Sequence, residues 1–427
     1  MIAASHLKNL ALAGVLAGIL AGCTGSASSG TESVSGGTTP STNGTTSSSM
    51  PGRSLASGEG VDATGNTIKI GVVGSLTGDQ KPWGEDSIRG AEMALKEFND
   101  AGGLDGKKVE MLTGDSGSKA DQAKTAAEKL LSDGVIALVG EVSSGNTIQM
   151  AKSAFGKIVP VVGIGATNPK LTEEGGNVVR VCYTDDFQGP VMAKFAYEEL
   201  GLRNVGVITD NKQPYSQGLS ASFGEAFTKL GGKIVGESKY ESAQSDFTGL
   251  VTELKAKNPD GLFLSGYFPE VGPLAQQIRQ GGMKDIPLLG GDGWDGTQLL
   301  TSGGQAILDS YFCNHYNNKE TRPEVTQFLT KWKAANGGKD PGTTMAALGY
   351  DAMALTLDAL KRAGKPNSKA IVEALNDTEN FQGVSGVITL KGANGNPAKR
   401  ALVVKVRPAS EGFQIFQKAI EPGDVSK

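Results

Sequence analysis

Histidine is almost missing from this 427-residue chain: only His6 and His315 occur. A Ser-His-Asp or Cys-His catalytic site would have to be built on His315 alone, because His6 lies in a segment read below as a leader. With three cysteines and two histidines, a structural Cys/His metal cluster cannot be assembled. No Gly-rich loop ending in Gly-Lys-Ser/Thr is present, so a P-loop phosphate site is excluded. The formal charge of −4 and the lack of a basic stripe give nucleic acid no footing. Aromatic residues make up only 6% of the chain, whereas glycine reaches 61 residues, a composition of many tight turns.

What is present begins with a leader. Met1 to Lys8 carries one lysine, Leu10 to Leu20 is apolar, and Leu20-Ala21-Gly22-Cys23 closes the stretch. The apolar run is too short to cross a bilayer and has the form of a signal peptide over residues 1–22. Cysteine directly after Leu-Ala-Gly resembles the bacterial lipobox, which implies cleavage before Cys23 and a diacylglycerol on its sulfur. Residues 24–63 are mostly Ser, Thr and Gly, which cannot bury a core. A disordered tether over residues 23–65 is therefore expected, reaching on the order of 35 Å as a flexible coil. Membrane association is expected only through the lipid, on the extracytoplasmic side.

From Thr67 short β-branched runs alternate with helical periodicity. Strands are expected at 68–73, 108–112, 135–139, 158–162 and 178–181, with helices at 85–99 and 119–131. After Asp185-Asp186-Phe187-Gln188-Gly189-Pro190 the alternation restarts, with helices at 191–200, 216–230, 246–257 and 269–280. Strands fall between them at 205–209, 233–236, 261–264 and 287–289. Such alternation builds βαβ units on parallel sheets, and the break near 184 divides them into two doubly wound α/β lobes. Helices at 323–336 and 344–363 and a strand-rich tail at 386–416 complete the lobes.

Residues 136–169 stand out. Two apolar runs each end in a small polar turn, Glu141 to Thr147 and Gly163 to Asn168, which places two loops side by side at the carboxyl edge of a parallel sheet. Open α/β sheets bind ligands there. The hydroxyls and N–H groups of these loops suit a carboxylate, although Ser144 and Thr167 also suit a helix cap and a turn. One decoy, Gly291-Asp292-Gly293-Trp294-Asp295-Gly296, matches GxGxxG. It opens no clear helix, and Asp292 would face a pyrophosphate with a carboxylate, so no dinucleotide or other cofactor is expected. Cys182 and Cys313 either pair, as two cysteines outside the cytoplasm can, or remain buried thiols.

Several ordered motifs carry a family resemblance. They run from Ile68-Lys69-Ile70-Gly71, Ser75-Leu76-Thr77-Gly78 and Trp83-Gly84 through Gly140 to Thr147 and Gly165-Ala166-Thr167-Asn168-Pro169. Asp186-Phe187-Gln188-Gly189, Gly266-Tyr267 and Gly290-Gly291-Asp292-Gly293-Trp294 follow. Together they resemble the type I solute-binding proteins of branched-chain amino acid ABC transporters, over about residues 66–420. The resemblance implies three chain crossings, near 184, 313 and 398, with 66–184 and 314–398 in lobe 1 and 185–313 and 399–422 in lobe 2. It places Cys182 and Cys313 on neighbouring crossings, where a disulfide would restrain the hinge. The disulfide of the leucine-binding relatives is not preserved, since its positions fall near Gly117 and at Ser143.

Carried over residue by residue, the resemblance implies a ligand site of Trp83, Ser144, Gly165, Ala166, Thr167, Tyr215, Tyr267, Asp292 and Tyr350. Ser144 and Thr167 would hold an α-carboxylate, and the Gly165 carbonyl and Asp292 an α-ammonium. Trp83, Tyr215, Tyr267 and Tyr350 would wall the side chain. Leucine-binding relatives have glutamate where Asp292 stands. The implied protein is not an enzyme: it is a monomer that captures an aliphatic amino acid by hinge closure and delivers it to an ABC permease and its ATPase. Two other functions fit the same residues, namely binding of an amide, urea or other small polar solute, and ligand sensing for a membrane receptor.

Overall fold

The computed structural model describes residues 53–425. The leader, Cys23 and the tether up to residue 52 lie outside the described residues. Five strands make the first sheet: β1 (Ile68–Gly74), β2 (Val109–Asp115), β3 (Leu138–Gly140), β4 (Val161–Gly163) and β5 (Val178–Arg180). All are parallel, in the order β2-β1-β3-β4-β5. β3, β4 and β5 are buried throughout, the mark of a parallel sheet covered by helices on both faces.

The second sheet begins with β6 (Asn204–Asp210), β7 (Lys233–Tyr240), β8 (Gly261–Leu264), β9 (Leu288–Gly290) and β10 (Tyr311–Asn314). A small hairpin, β11 (Phe381–Gly383) with β12 (Gly386–Ile388), stands apart from both sheets. The tail then adds β13 (Ala401–Val406) and β14 (Gln414–Ile420), giving β14-β13-β10-β9-β8-β6-β7. β13 runs antiparallel to β10 and β14 antiparallel to β13, while the other strands are parallel. The molecule is thus an α/β protein of two lobes, and its chain passes between the two sheets after β5, after β10 and before β13.

The helix Lys81–Asp100 packs on the long helix Met345–Ala363 in the first lobe. Two glycines permit their close approach. A Cβ on Gly90 would lie 2.0 Å from the Ala346 carbonyl oxygen, and one on Gly349 would lie 2.1 Å from that of Ser87. This contact brings the first turns of both helices to the edge of the cleft.

Two expectations change, and one alternative left open is decided. The helix predicted at 191–200 begins at Asp185 and runs to Lys194, with Pro190 inside it. Asp185 and Asp186 occupy its first turn, where acidic side chains complement the helix dipole, and this outweighs the proline as a start signal. Gln188 therefore sits on a helix rather than a loop.

The tether expected over 23–65 is docked from residue 53 onward. The Arg53 guanidinium donates to the carbonyls of Thr172 (3.2 Å), Gly175 (2.9 Å) and Val178. The Val61 N–H donates to the Ser368 hydroxyl and the Val61 carbonyl accepts from the Ser368 N–H, both at 2.8 Å, and Asp62 pairs antiparallel with Asn367. These partners lie more than a hundred residues away, so composition gave no sign of them. Finally, Cys182 and Cys313 are not joined; both are buried free thiols. Burial pushes Cys182 up to about 12, and Cys313 higher still, so both stay protonated.

Candidate functional site

The two small polar loops follow β3 and β4 at the carboxyl edge of the first sheet. The first is built around Glu141, whose buried carboxylate takes five donors. Oε1 accepts from the Ser75 and Ser116 hydroxyls, both at 2.6 Å. Oε2 accepts from the N–H groups of Val142 (2.9 Å) and Ser143 (3.0 Å) and from the Ser143 hydroxyl (3.2 Å). The helix Ser144–Ala154 starts directly after this turn. The second loop, Gly165–Asn168, lies against it, with the Ser144 hydroxyl accepting from the Asn168 N–H at 3.2 Å.

The second lobe supplies the facing wall. Tyr215 and Tyr267 stack with ring centres 4.8 Å apart, and the Tyr215 hydroxyl accepts from the Gly293 N–H at 2.9 Å. Trp83 reaches across from the first lobe, edge-on to Tyr267 at 5.4 Å, and its indole N–H donates to the Asp295 carbonyl at 2.5 Å. Between the lobes remains a small space of about 10 Å³, lined by Trp83, Val142, Gly165, Met345, Tyr215, Tyr267, Asp292 and Gly293. The first four come from one lobe and the last four from the other. A space of this size holds roughly one water, so an organic ligand enters only when the walls part.

Direct bonds between the lobes hold this closed form. The Thr344 N–H and hydroxyl donate to Asp295 Oδ2 at 2.6 and 2.7 Å, at the start of the long first-lobe helix. Asn168 Nδ2 donates to the Pro214 carbonyl at 2.7 Å.

Of the residues named from sequence, Trp83, Gly165, Tyr215, Tyr267 and Asp292 meet at this space. Ser144, Ala166 and Thr167 are buried beside it and do not line it. The Thr167 hydroxyl accepts from Gln188 Nε2 at 3.4 Å. Tyr350 is a correction. Its hydroxyl donates to Glu97 at 3.0 Å and its ring meets Phe328 at 5.5 Å, away from the cleft. The long helix presents Met345 instead. Five residues further on, the helix has turned by about 140° relative to Met345, which points Tyr350 elsewhere.

Two residues missed in the sequence hold Asp292. Gln188 Nε2 donates to Asp292 Oδ1 at 3.0 Å and to Asp185 Oδ1 at 2.9 Å, while the Asp292 N–H donates to Gln188 Oε1 at 3.2 Å. His315 Nε2 lies 3.0 Å from Asp292 Oδ2, and its ring stacks on Tyr183 at 4.2 Å. The single histidine of the folded part thus serves a carboxylate of the cleft. The Gln188 signal was hidden by Pro190, which disguised the helix. Asp185 is fully buried, and burial, with Asp292 nearby, pushes its carboxyl up to about 7. Burial raises Tyr215 and Tyr267 well above the ordinary phenol range, so both remain neutral. No cluster of side chains able to hold a metal ion occurs among the described residues, and no helix among them is long and apolar enough to cross a membrane.

Known proteins share this fold. The family model described as periplasmic binding protein matches residues 67–412. A Leu/Ile/Val-binding protein homolog of Brucella melitensis is 31% identical over 324 residues, covering 75% of this chain and 86% of its own. The crystal structure of the leucine-binding protein LivK from Thermotoga maritima superposes with a TM-score of 0.79 at 35% identity, covering 84% of this chain and 99% of that one. LivJ from Streptococcus pneumoniae, solved in complex with isoleucine, gives 0.76 at 30% identity, with 83% and 99% covered. The match over residues 67–412, these relatives and a cleft shared by two lobes show that the chain belongs to the periplasmic binding protein family, in the group of Leu/Ile/Val-binding proteins, and is a substrate-binding protein.

Proposed function

We propose that this protein is the extracytoplasmic substrate-binding component of an ABC importer, anchored by a lipid on Cys23, and that it captures an aliphatic, branched-chain amino acid by hinge closure. The observation that carries this reading is the composition of the interlobe space. Aromatic and apolar walls, Trp83, Val142, Met345, Tyr215 and Tyr267, surround one buried carboxylate, Asp292, opposite the Gly165–Asn168 loop. Apolar walls bury an alkyl side chain, the carboxylate accepts an ammonium, and the loop takes the ligand carboxylate. Half of the wall belongs to each lobe, so the ligand contacts both only when they close, and binding shifts the hinge equilibrium toward closure. Relatives whose names specify leucine, isoleucine and valine support this ligand class.

A second reading, a small amide or urea, is favoured by one observation. Both carboxylate oxygens of Asp292 are already engaged, by Gln188 and His315, which suits a neutral polar solute as well as a cation. Calorimetry with leucine, isoleucine, valine, acetamide and urea separates the two. Branched-chain amino acids binding at least tenfold tighter than the amides, and weakened by Asp292→Ala, is the expected result; amides binding as well as leucine would sink the first reading.

A further inference from the structure

Behind the Gly165–Asn168 loop lies a cation that no ion pair explains. Arg180, at the end of β5, is completely buried. Its guanidinium donates to the Ala166 carbonyl at 2.5 Å and to the Asn168 carbonyl at 2.9 Å, while its Nε has no hydrogen-bond partner. The Cys182 thiol adds a third donor, 3.4 Å from the Ala166 oxygen. Asp185 and Asp186 act on Arg180 only through space, and no ion pair to it occurs among the described residues. A buried charge without a contacting counter-ion is costly, and retaining one where a Met or Leu would fill the volume calls for a reason.

The peptide geometry supplies one. In a trans peptide the C=O and the following N–H point in opposite directions. Because the Ala166 carbonyl points at Arg180, the Thr167 N–H points away from it, and no acceptor among the described residues takes that N–H. The guanidinium sits at the negative end of this peptide dipole and polarises it, so positive potential emerges at the N–H. We propose that Arg180 is the positioning residue that makes the Gly165–Asn168 loop selective for an anionic carboxylate: it fixes the loop by its carbonyls and projects its own charge through the Ala166–Thr167 peptide onto the ligand. This deepens the amino-acid reading above and rests on it only in placing the ligand carboxylate at this loop. It also requires that a carboxylate be preferred over the corresponding amide.

The test is calorimetry on the folded protein with three probes, leucine, leucinamide and 4-methylpentanoate, for wild type, Arg180→Met, Arg180→Gln and Arg180→Lys. Leucinamide lacks the anion and 4-methylpentanoate lacks the ammonium. Arg180→Met and Arg180→Gln are expected to weaken leucine by about tenfold or more while changing leucinamide by less than about threefold, and Arg180→Lys to keep most of the leucine-over-leucinamide preference. A loop that merely loses its shape would weaken both probes alike. Equal weakening of leucine and leucinamide, or an unchanged ratio in both neutral variants, overturns the proposal. Should Arg180→Met fail to fold, Gln against Lys decides, since both can still donate to a carbonyl and differ in charge. If wild type binds 4-methylpentanoate as tightly as leucine, the amino-acid reading fails, and the acid with its amide, 4-methylpentanamide, tests Arg180 in its place. A wild-type protein that prefers amides to carboxylates refutes the Arg180 assignment outright.

Discussion

The two loops at the edge of the first sheet are alike in sequence and opposite in wiring. Around 141–143 a buried anion gathers N–H groups and hydroxyls inward: Glu141 takes the Val142 and Ser143 amides. Around 165–168 a buried cation gathers carbonyls inward: Arg180 takes those of Ala166 and Asn168. Satisfying one half of a peptide on the inside turns the other half outward. The two turns therefore present different chemistry to the cleft: in the second, the Thr167 N–H is turned away from the buried charge and meets no acceptor among the described residues. The difference comes from one buried charged residue at each loop, Glu141 within the first and Arg180 behind the second.

The largest expected effect on this contrast is on folding. Glu141→Ala leaves five donors without their shared acceptor in a buried site, and we expect a loss of about 3 kcal/mol or more, read as a lower urea midpoint with an unchanged slope. A loss below about 1 kcal/mol would mean that water replaces the carboxylate and that the first loop is not built on an anion.

Next comes the pH response beneath the second loop, where Asp185 bonds through Gln188 toward Thr167. An unfolded aspartate titrates near 4, and the folded one is raised to about 7. Between these values the native state holds the extra proton, so stability falls as pH rises from about 4 to 7 and levels off above. Asp185→Asn is expected to remove that slope, raising Tm by about 2–4 °C at pH 8 and by little at pH 4. An identical Tm difference at both pH values would contradict the raised carboxyl.

Smaller still is the thiol beside Arg180. Cys182→Ala is expected to cost about 1 kcal/mol, from a lost sulfur contact and a weak hydrogen bond to Ala166. Because both cysteines are free, adding dithiothreitol to the native protein should leave Tm unchanged; a drop of several degrees would reveal a disulfide. The smallest effect belongs to Tyr350→Phe. Its hydroxyl meets only Glu97 at the half-buried helix pair, so stability should change by about 0.5 kcal/mol or less and amino-acid affinity not at all. Weakened binding in this variant would return Tyr350 to the cleft.

Much of this molecule was readable before any coordinates. The alternation of β-branched runs with helical periodicity, the restart after 184 and the turn residues at 141–147 and 163–168 are local signals, each written within about twenty residues. They indicated two α/β lobes and the edge where the loops lie. Trp83, Gly165, Tyr215, Tyr267 and Asp292, named from sequence, come together at one small space. What tertiary structure decided are the partners across long separations. Gln188 meets Asp292 104 residues away, His315 meets the same carboxylate, and Arg53 finds carbonyls more than a hundred residues on. The exchange of Tyr350 for Met345 was likewise decided by helix phase against a packed neighbour. Local chain chemistry sets periods and turns, which sequence states directly. Which buried charge ends up behind which loop depends on how separate layers pack, and no single stretch of sequence contains that.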